Sequence, residues 1–581
     1  MDNNRNLLCD RCQSNIHKPL RLHPIDPILL HSSHVPSQVE VSQTLETLEK
    51  EKQQLQQYED TIDSLRQILE KLETERQRLE AHISRRHSIT SVQRRIPVEL
   101  WETIFSFACS FSSEDGYSLS MSFNPISGVS TVTTFPILLS HVCRRWRAIS
   151  IGCHTIWSSI SINRMREISM KQKILVGAFL ANSAKSPLDI RVVENRLSRH
   201  THATWDLLKS HLSRCGRLSL GLTQYTSLDT FQGMDITFHD LLSLRVDVDT
   251  SIPSEPDLDN PFWQALCHAP KFTQARICKI YPHNPLPYPQ LTTLVINSVY
   301  LEDVGGLLRA LELSRNLRSF SLLEIEFIYL PTSVDHMIRP VEMPSLRTLS
   351  LYPEIMLLHM DNPILDVLCS SLVMPTLSAF GLGCTNSTSN VTRWPSSLLS
   401  MLRRSSATLR HVWLTTLCPV HGFWEAPLDM LLETIPNLTH LDLGEWFNNY
   451  EYHSSRNSLI SSTITDIACL SQTAVLPNLE HMSLVCVQLD PDILLKILDF
   501  AASRSPSRLS NVAPVPCRSL KTLRVLSSLT DSSSKFVLEA HMVEKIRLLE
   551  QDGVKVVVEN NTEAASSWPL RNVEGWDILN K

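Results

Sequence analysis

Residues 343–351 read Met343-Pro344-Ser345-Leu346-Arg347-Thr348-Leu349-Ser350-Leu351. The Pro-Ser pair sets a turn, because proline presets φ and serine bonds nearby backbone. Leucines then follow with the spacing Leu-x-x-Leu-x-Leu. The last two alternate as in a strand with one buried face. The same pattern fits Leu241/Leu244/Val246, Leu291/Leu294/Ile296, Leu317/Phe320/Leu322, Leu377/Phe380/Leu382 and Leu409/Val412/Leu414. Leu438/Leu441/Leu443, Leu479/Met482/Leu484 and Leu520/Leu523/Val525 extend the series, and Phe272/Ala275/Ile277 is a weaker member. Starts from Leu291 to Leu438 lie 26 to 32 residues apart, and the two later intervals are 41. A turn residue stands just ahead of many of them, as in Ile435-Pro436-Asn437-Leu438.

One such unit cannot bury its own apolar row, whereas a stack of units can. The pattern resembles degenerate leucine-rich repeats. It predicts an α/β solenoid over 163–560 with a parallel sheet on its concave face. Val304–Leu313 and Ile493–Ala502 have helical spacing and would return the chain. Val554–Val558 reads as a last strand, and 561–581 as a C-terminal tail. Positions between the buried residues would face outward. They offer Arg245, Arg318, Arg347, Trp413, His440 and Asp442 as candidates for holding a protein target, with His411, His481 and Arg524 beside them. Arg and Trp often carry binding energy at interfaces. The same residues also fit plain solvated strand positions.

Upstream, 45–84 holds a second periodicity. Leu48, Leu55, Ile62, Leu69 and Ile83 form one row, which Arg76 interrupts. Tyr58, Leu65, Leu72 and Leu79 form the other, with Glu51 at its start. A period of 3.5 without Gly or Pro predicts a coiled-coil helix. With the rows as a and d, a parallel homodimer would set Glu75 against Glu80, a repulsive pair. Self-association, a different partner and packing onto the same chain all remain open.

Between these regions, 94–162 is unusually apolar for its size. Pro97 suits a first helical turn. Leu100, Ile104 and Phe105 recur at helical spacing, with Trp101 and Phe107 beside them. A second helix carries Leu138, Leu139, Val142, Cys143, Trp146 and Ile149. Ile156, Trp157 and Ile160 make a third cluster. The Ser/Thr-rich stretch 110–135 reads as a loop insert, which closure entropy tolerates. A unit this small and apolar is expected to bury one face against a partner.

The order Ile96-Pro97, apolar helix, Ser140-x-Val142-Cys143-Arg144-x-Trp146 and closing Trp157 resembles an F-box. Ile96 stands where Leu is commoner. The resemblance implies a substrate-recognition subunit of a Skp–cullin–F-box ubiquitin ligase. It implies docking of a Skp-type adaptor on Ile96, Pro97, Leu100, Ile104, Phe105, Val142, Cys143, Trp146 and Trp157. The repeats would then hold the target. Coiled coil, F-box and degenerate repeats in that order are also similar to an expanded F-box family of mushroom-forming fungi. The alternative is a scaffold in which these helices only cap the solenoid.

The remaining chemistry is sparse. The chain has 581 residues, a formal net charge of −6 and 14 cysteines. That charge argues against bulk attraction to nucleic acid. No apolar run reaches the ~18 residues of a membrane span. Scattered single cysteines and the absence of an apolar leader point to a cytoplasmic or nuclear protein. Cys9-Asp-Arg-Cys12 has the spacing of half a zinc site, and His31-Ser-Ser-His34 could complete it. Three prolines fall between the pairs, so 1–44 equally fits a Pro/His-rich segment with two incidental thiols. No phosphate-binding Gly loop, metalloprotease motif or nucleophile elbow is present. Neither catalysis nor a cofactor is expected.

Overall fold

The computed structural model describes residues 25, 27–30, 35–111, 116–124, 127–163, 169–194, 202–224, 228–229, 231–233, 235–248, 259–278, 286–299, 303–325, 339–353, 363–384, 394–416, 428–445, 476–486, 491–505, 518–527 and 538–560. The chain forms two compact units, Met1–Pro97 and Val98–Lys581. Cys9, Cys12, His31 and His34 lie outside the described residues, as does 561–581.

The first unit is dominated by one helix, α1 (Gln38–Thr90), 53 residues long. It begins earlier than the heptads predict, and its start is chemically marked. The Ser37 hydroxyl accepts from the Glu40 N–H at 3.4 Å, and the Glu40 carboxylate accepts from the Ser37 N–H at 2.7 Å. That reciprocal cap satisfies two otherwise orphaned donors. Intrahelical pairs such as Lys50–Glu46 at 2.7 Å and Arg78–Glu75 at 2.6 Å line the flanks. The aliphatic seam residues, from Leu48 to Ile83, are exposed.

The second unit opens with α2 (Val98–Phe111), α3 (Phe135–Val142) and α4 (Arg144–Gly152), followed by a 3-10 turn at His154–Trp157. Among the described residues a sheet of 16 strands runs in chain order except at its first edge, where the first strand lies between the second and the third. The strands that fix it are β1 (Leu119–Phe123), β2 (Ser130–Thr134), β3 (Ser159–Asn163), β4 (Leu188–Val193), β5 (Cys215–Leu222), β6 (Ser243–Val248), β7 (Gln274–Ile277), β8 (Thr293–Val299) and β9 (Ser319–Ile325). They continue as β11 (Thr348–Pro353), β13 (Ala379–Cys384), β14 (His411–Thr416), β15 (His440–Glu445), β16 (His481–Cys486), β17 (Thr522–Ser527) and β18 (Lys555–Asn560). β10 (Val341–Glu342) and β12 (Leu372–Val373) form a separate parallel pair. Helices connect many strands, among them α8 (Val304–Leu313) and α12 (Pro491–Ser503). This is an α/β solenoid-like arrangement with a parallel sheet. Among the described strands only β1–β2 pairs antiparallel.

The repeated leucines set the register. Leu294, Phe320, Leu349, Phe380, Val412, Leu441, Met482 and Leu523 stand side by side across eight strands. All are buried. A one-residue slip would turn this row out of the core, so the pairing is strongly specified. The turns ahead of the strands lock successive repeats. The Leu438 N–H donates to the Ile435 carbonyl, and the Leu479 N–H to that of Leu476. Asn437 then donates to the Ser406 carbonyl at 3.2 Å, and Asn478 to the Pro436 carbonyl at 3.3 Å. The Asn of each Pro-Asn-Leu turn thus fastens one repeat to the one before.

Three expectations for the region before the repeats need correction. The stretch 110–135 is not simply a loop: β1 pairs parallel with β3, and β2 closes the edge. Its Ser/Thr alternation, Leu-Ser-Met-Ser-Phe, is a strand pattern, with Leu119 and Met121 buried. The third cluster is split, Ile156 and Trp157 lying in the 3-10 turn and Ile160 in strand β3. The second helix is broken at Cys143, whose extended backbone separates α3 from α4. The sheet therefore begins inside the stretch read as a separate helical domain.

Candidate functional surfaces

Helix α2 has two apolar faces. Trp101, Phe105 and Cys109, spaced by four, point inward and are buried. Phe105 and Trp101 meet the Trp146 ring at centroid distances of 5.1 and 5.0 Å. Leu100, Ile104 and Phe107 lie on the other face, and Leu100 is 55% exposed. On α3, which packs against α2, Leu138 and Val142 are exposed too, Val142 at 61%. Ile96 is half-buried and Pro97 exposed in the first unit.

The proposed docking set therefore divides. Leu100, Ile104 and Val142 sit on the surface. Phe105 is 1% exposed and Trp157 3%, so both belong to the interior. Trp157 donates from Nε1 to the Ser150 carbonyl at 2.7 Å and meets Phe179 edge-on. Trp146 is half-buried under α2. Cys143 is exposed, and its thiol accepts from the Trp146 N–H at 3.4 Å, capping α4. Phe105, Trp157 and Trp146 thus pack beneath the exposed α2 and α3 side chains rather than among them.

The outward sheet positions gather into separate groups. His411, His440 and His481 share one register row, and Trp413 and Asp442 share the next. The His440 and His481 rings stack at 4.3 Å. The His411 Nε2 lies 2.7 Å from Asp442. Burial, with His481 and His411 nearby, holds the His440 imidazole below its ordinary pKa. Stacked rings present faces rather than converging lone pairs, so they suit aromatic or hydrogen-bonding contact better than a metal. Among the described residues no group of three or more His, Cys, Asp or Glu is placed to hold a metal ion.

Other expected target residues fall elsewhere. Trp413 is fully buried, its ring lying over Gly381, and it donates to the Tyr352 hydroxyl at 3.4 Å. It is a packing residue, not a contact surface. Arg318 and Arg347 lie in the turns ahead of β9 and β11 rather than inside the strands. Arg245 joins a polar network unseen in the sequence. It reaches Asp247 at 2.5 Å, Asn297 donates to Asp247 at 3.0 Å, and Arg276 donates to Asn297 at 3.1 Å. The members come from three strands, so no local spacing announced them.

A cleft of about 440 Å³ lies at the N-terminal ends of β3 to β5. Ser106, Tyr117, Thr155, Ser158, Asp189 and Arg217 are among its walls. Burial, then the charge of Asp189, pushes the Tyr117 phenol far above its usual range. No helix among the described residues is long and apolar enough to cross a membrane. No model of a known protein family matches the chain, and a comparison with curated proteins found no match either.

Proposed function

We propose that this protein is a substrate-recognition subunit of a Skp–cullin–F-box type ubiquitin ligase, with leucine-rich-repeat-like units holding the target. The outward face of α2 carries this reading. Leu100, Ile104 and Phe107 form an exposed stripe although the helix has already filled its core with Trp101 and Phe105. A solvated helix face would ordinarily be polar. The protein itself would perform no chemistry. It would raise the effective concentration of target lysines near a conjugating enzyme brought by other subunits. On the sheet, the His411–His440–His481 row with Asp442, and the partly buried Arg245 network, would supply polar groups for the target.

The test is co-purification of the full chain with a Skp-type adaptor, alone and as Leu100→Asp. Binding that the substitution abolishes supports the proposal. Equal retention by both forms removes α2 as the docking face.

A scaffold without a ligase role is the second reading. The pairing of β1 with β3 favours it, because this region is built into the end of the sheet as a cap would be. Failure of either form to bind the adaptor would favour it further.

A further inference from the structure

We infer that α1 docks on a second copy of this chain, antiparallel, in the one register that sets Arg76 of each helix against Glu51 of the other. This stands apart from the adaptor reading. The observation is an unbroken helix of 53 residues whose aliphatic seam is exposed. Two charged residues interrupt that seam, Glu51 at a d position and Arg76 at an a position. Their placement selects the partner.

A parallel homodimer pairs like with like, so it would bury Glu51 against Glu51 and Arg76 against Arg76. It would also set Glu75 against Glu80 on the flank. Like charges directly opposed cost several kcal/mol at an interface. In an antiparallel pair, a positions meet d positions instead. One alignment places Leu48 opposite Leu79, Leu55 opposite Leu72 and Ile62 opposite Leu65. The same alignment brings Glu51 and Arg76 together at both ends. A slip of one heptad sets Glu51 against Leu69 or Ile83, leaving a charge facing an aliphatic chain. Such slips are therefore disfavoured.

The flanks agree with the seam. In this register Lys52 lies beside Glu73 of the second copy, and Glu59 beside Arg66. Two-fold symmetry repeats each pair. In the single helix Arg76 lies 3.6 Å from Glu80, and Arg66 3.1 Å from Asp63. Those intrahelical pairs are exposed and worth little, so exchanging or sharing them costs little. The C-terminal ends of the two helices would stand about 80 Å apart, at 1.5 Å per residue.

The experiment measures self-association of the full chain by sedimentation velocity across a dilution series. It compares the native chain with Glu51→Arg, Arg76→Glu and the double reversal. A native dimer is expected. Each single reversal weakens it by at least about tenfold, since each creates two like-charged layers. The double reversal restores native affinity. Both substituted positions lie on the helix surface, Arg76 exposed and Glu51 half-buried, so circular dichroism should show helix content unchanged. A monomeric native chain overturns the inference. So does a dimer that single reversals leave intact, as a parallel pair or a contact elsewhere would give. Failure of the double reversal to rescue overturns the register.

Discussion

At the residue scale, glycine makes room for two large rings on the sheet. A Cβ at Gly381 would lie 2.1 Å from the Trp413 ring, and one at Gly383 2.2 Å from Tyr352. Glycine inside a strand often marks such close approach. Gly381→Ala should therefore destabilise the second unit by about 1–3 kcal/mol, the usual cost of overpacking. Urea unfolding followed by Trp fluorescence would check this. Glu480 gives a pH test. Lys521 and then Arg518 donate to its carboxylate and hold its pKa at about 2. The unfolded chain binds that proton near pH 4.5. Its contribution is thus fully present above that pH and is lost as pH falls toward 2. Glu480→Gln should lower the urea midpoint at pH 7, with the difference from the native chain shrinking between pH 4.5 and 2. A difference independent of pH would show that the carboxylate charge is not responsible.

At the element scale, α2 shows what periodicity can and cannot tell. Helical spacing was legible in Leu100, Ile104 and Phe105, yet these residues end on different faces. Trp101 and Phe105 face inward because Trp146 of α4 meets them there. Nothing local distinguishes a buried Phe105 from an exposed Phe107, because the choice is made by an element some 40 residues later. The two faces should respond differently to substitution. Phe105→Ala should cost about 3–5 kcal/mol through the cavity it leaves. Leu100→Asp, at an exposed site, should change stability by no more than about 0.5 kcal/mol. Paired denaturation curves decide this, and similar losses for both would contradict the assignment of faces. The heptads of α1 were legible too, but its earlier start required noticing Ser37-x-x-Glu40, which Pro36 and the polar run obscure.

At the scale of the whole molecule, the repeated leucines were enough to predict a stacked parallel sheet. Their rows are the register itself. The first five strands were not read because they lack the Leu-x-x-Leu-x-Leu spacing and because Ser/Thr alternation in 119–134 passes for a loop. The candidate sites were legible as residue types but not as groups, since the Arg245–Asp247–Asn297 network draws on separate strands. The β1–β2 hairpin has a consequence for solubility. It covers the edge of the parallel sheet at β3, and bare edges template association. Replacing 116–134 with a Gly/Ser linker should shift the protein to larger species in size-exclusion chromatography. A profile like that of the native chain would mean the hairpin does not protect the edge.

Hydrogen exchange of the full chain, with and without a Skp-type adaptor, is the decisive measurement of adaptor docking. The adaptor reading predicts added protection in α2 and α3, with the sheet strands from β6 to β17 unchanged. Protection confined to those strands, or none anywhere, would contradict it.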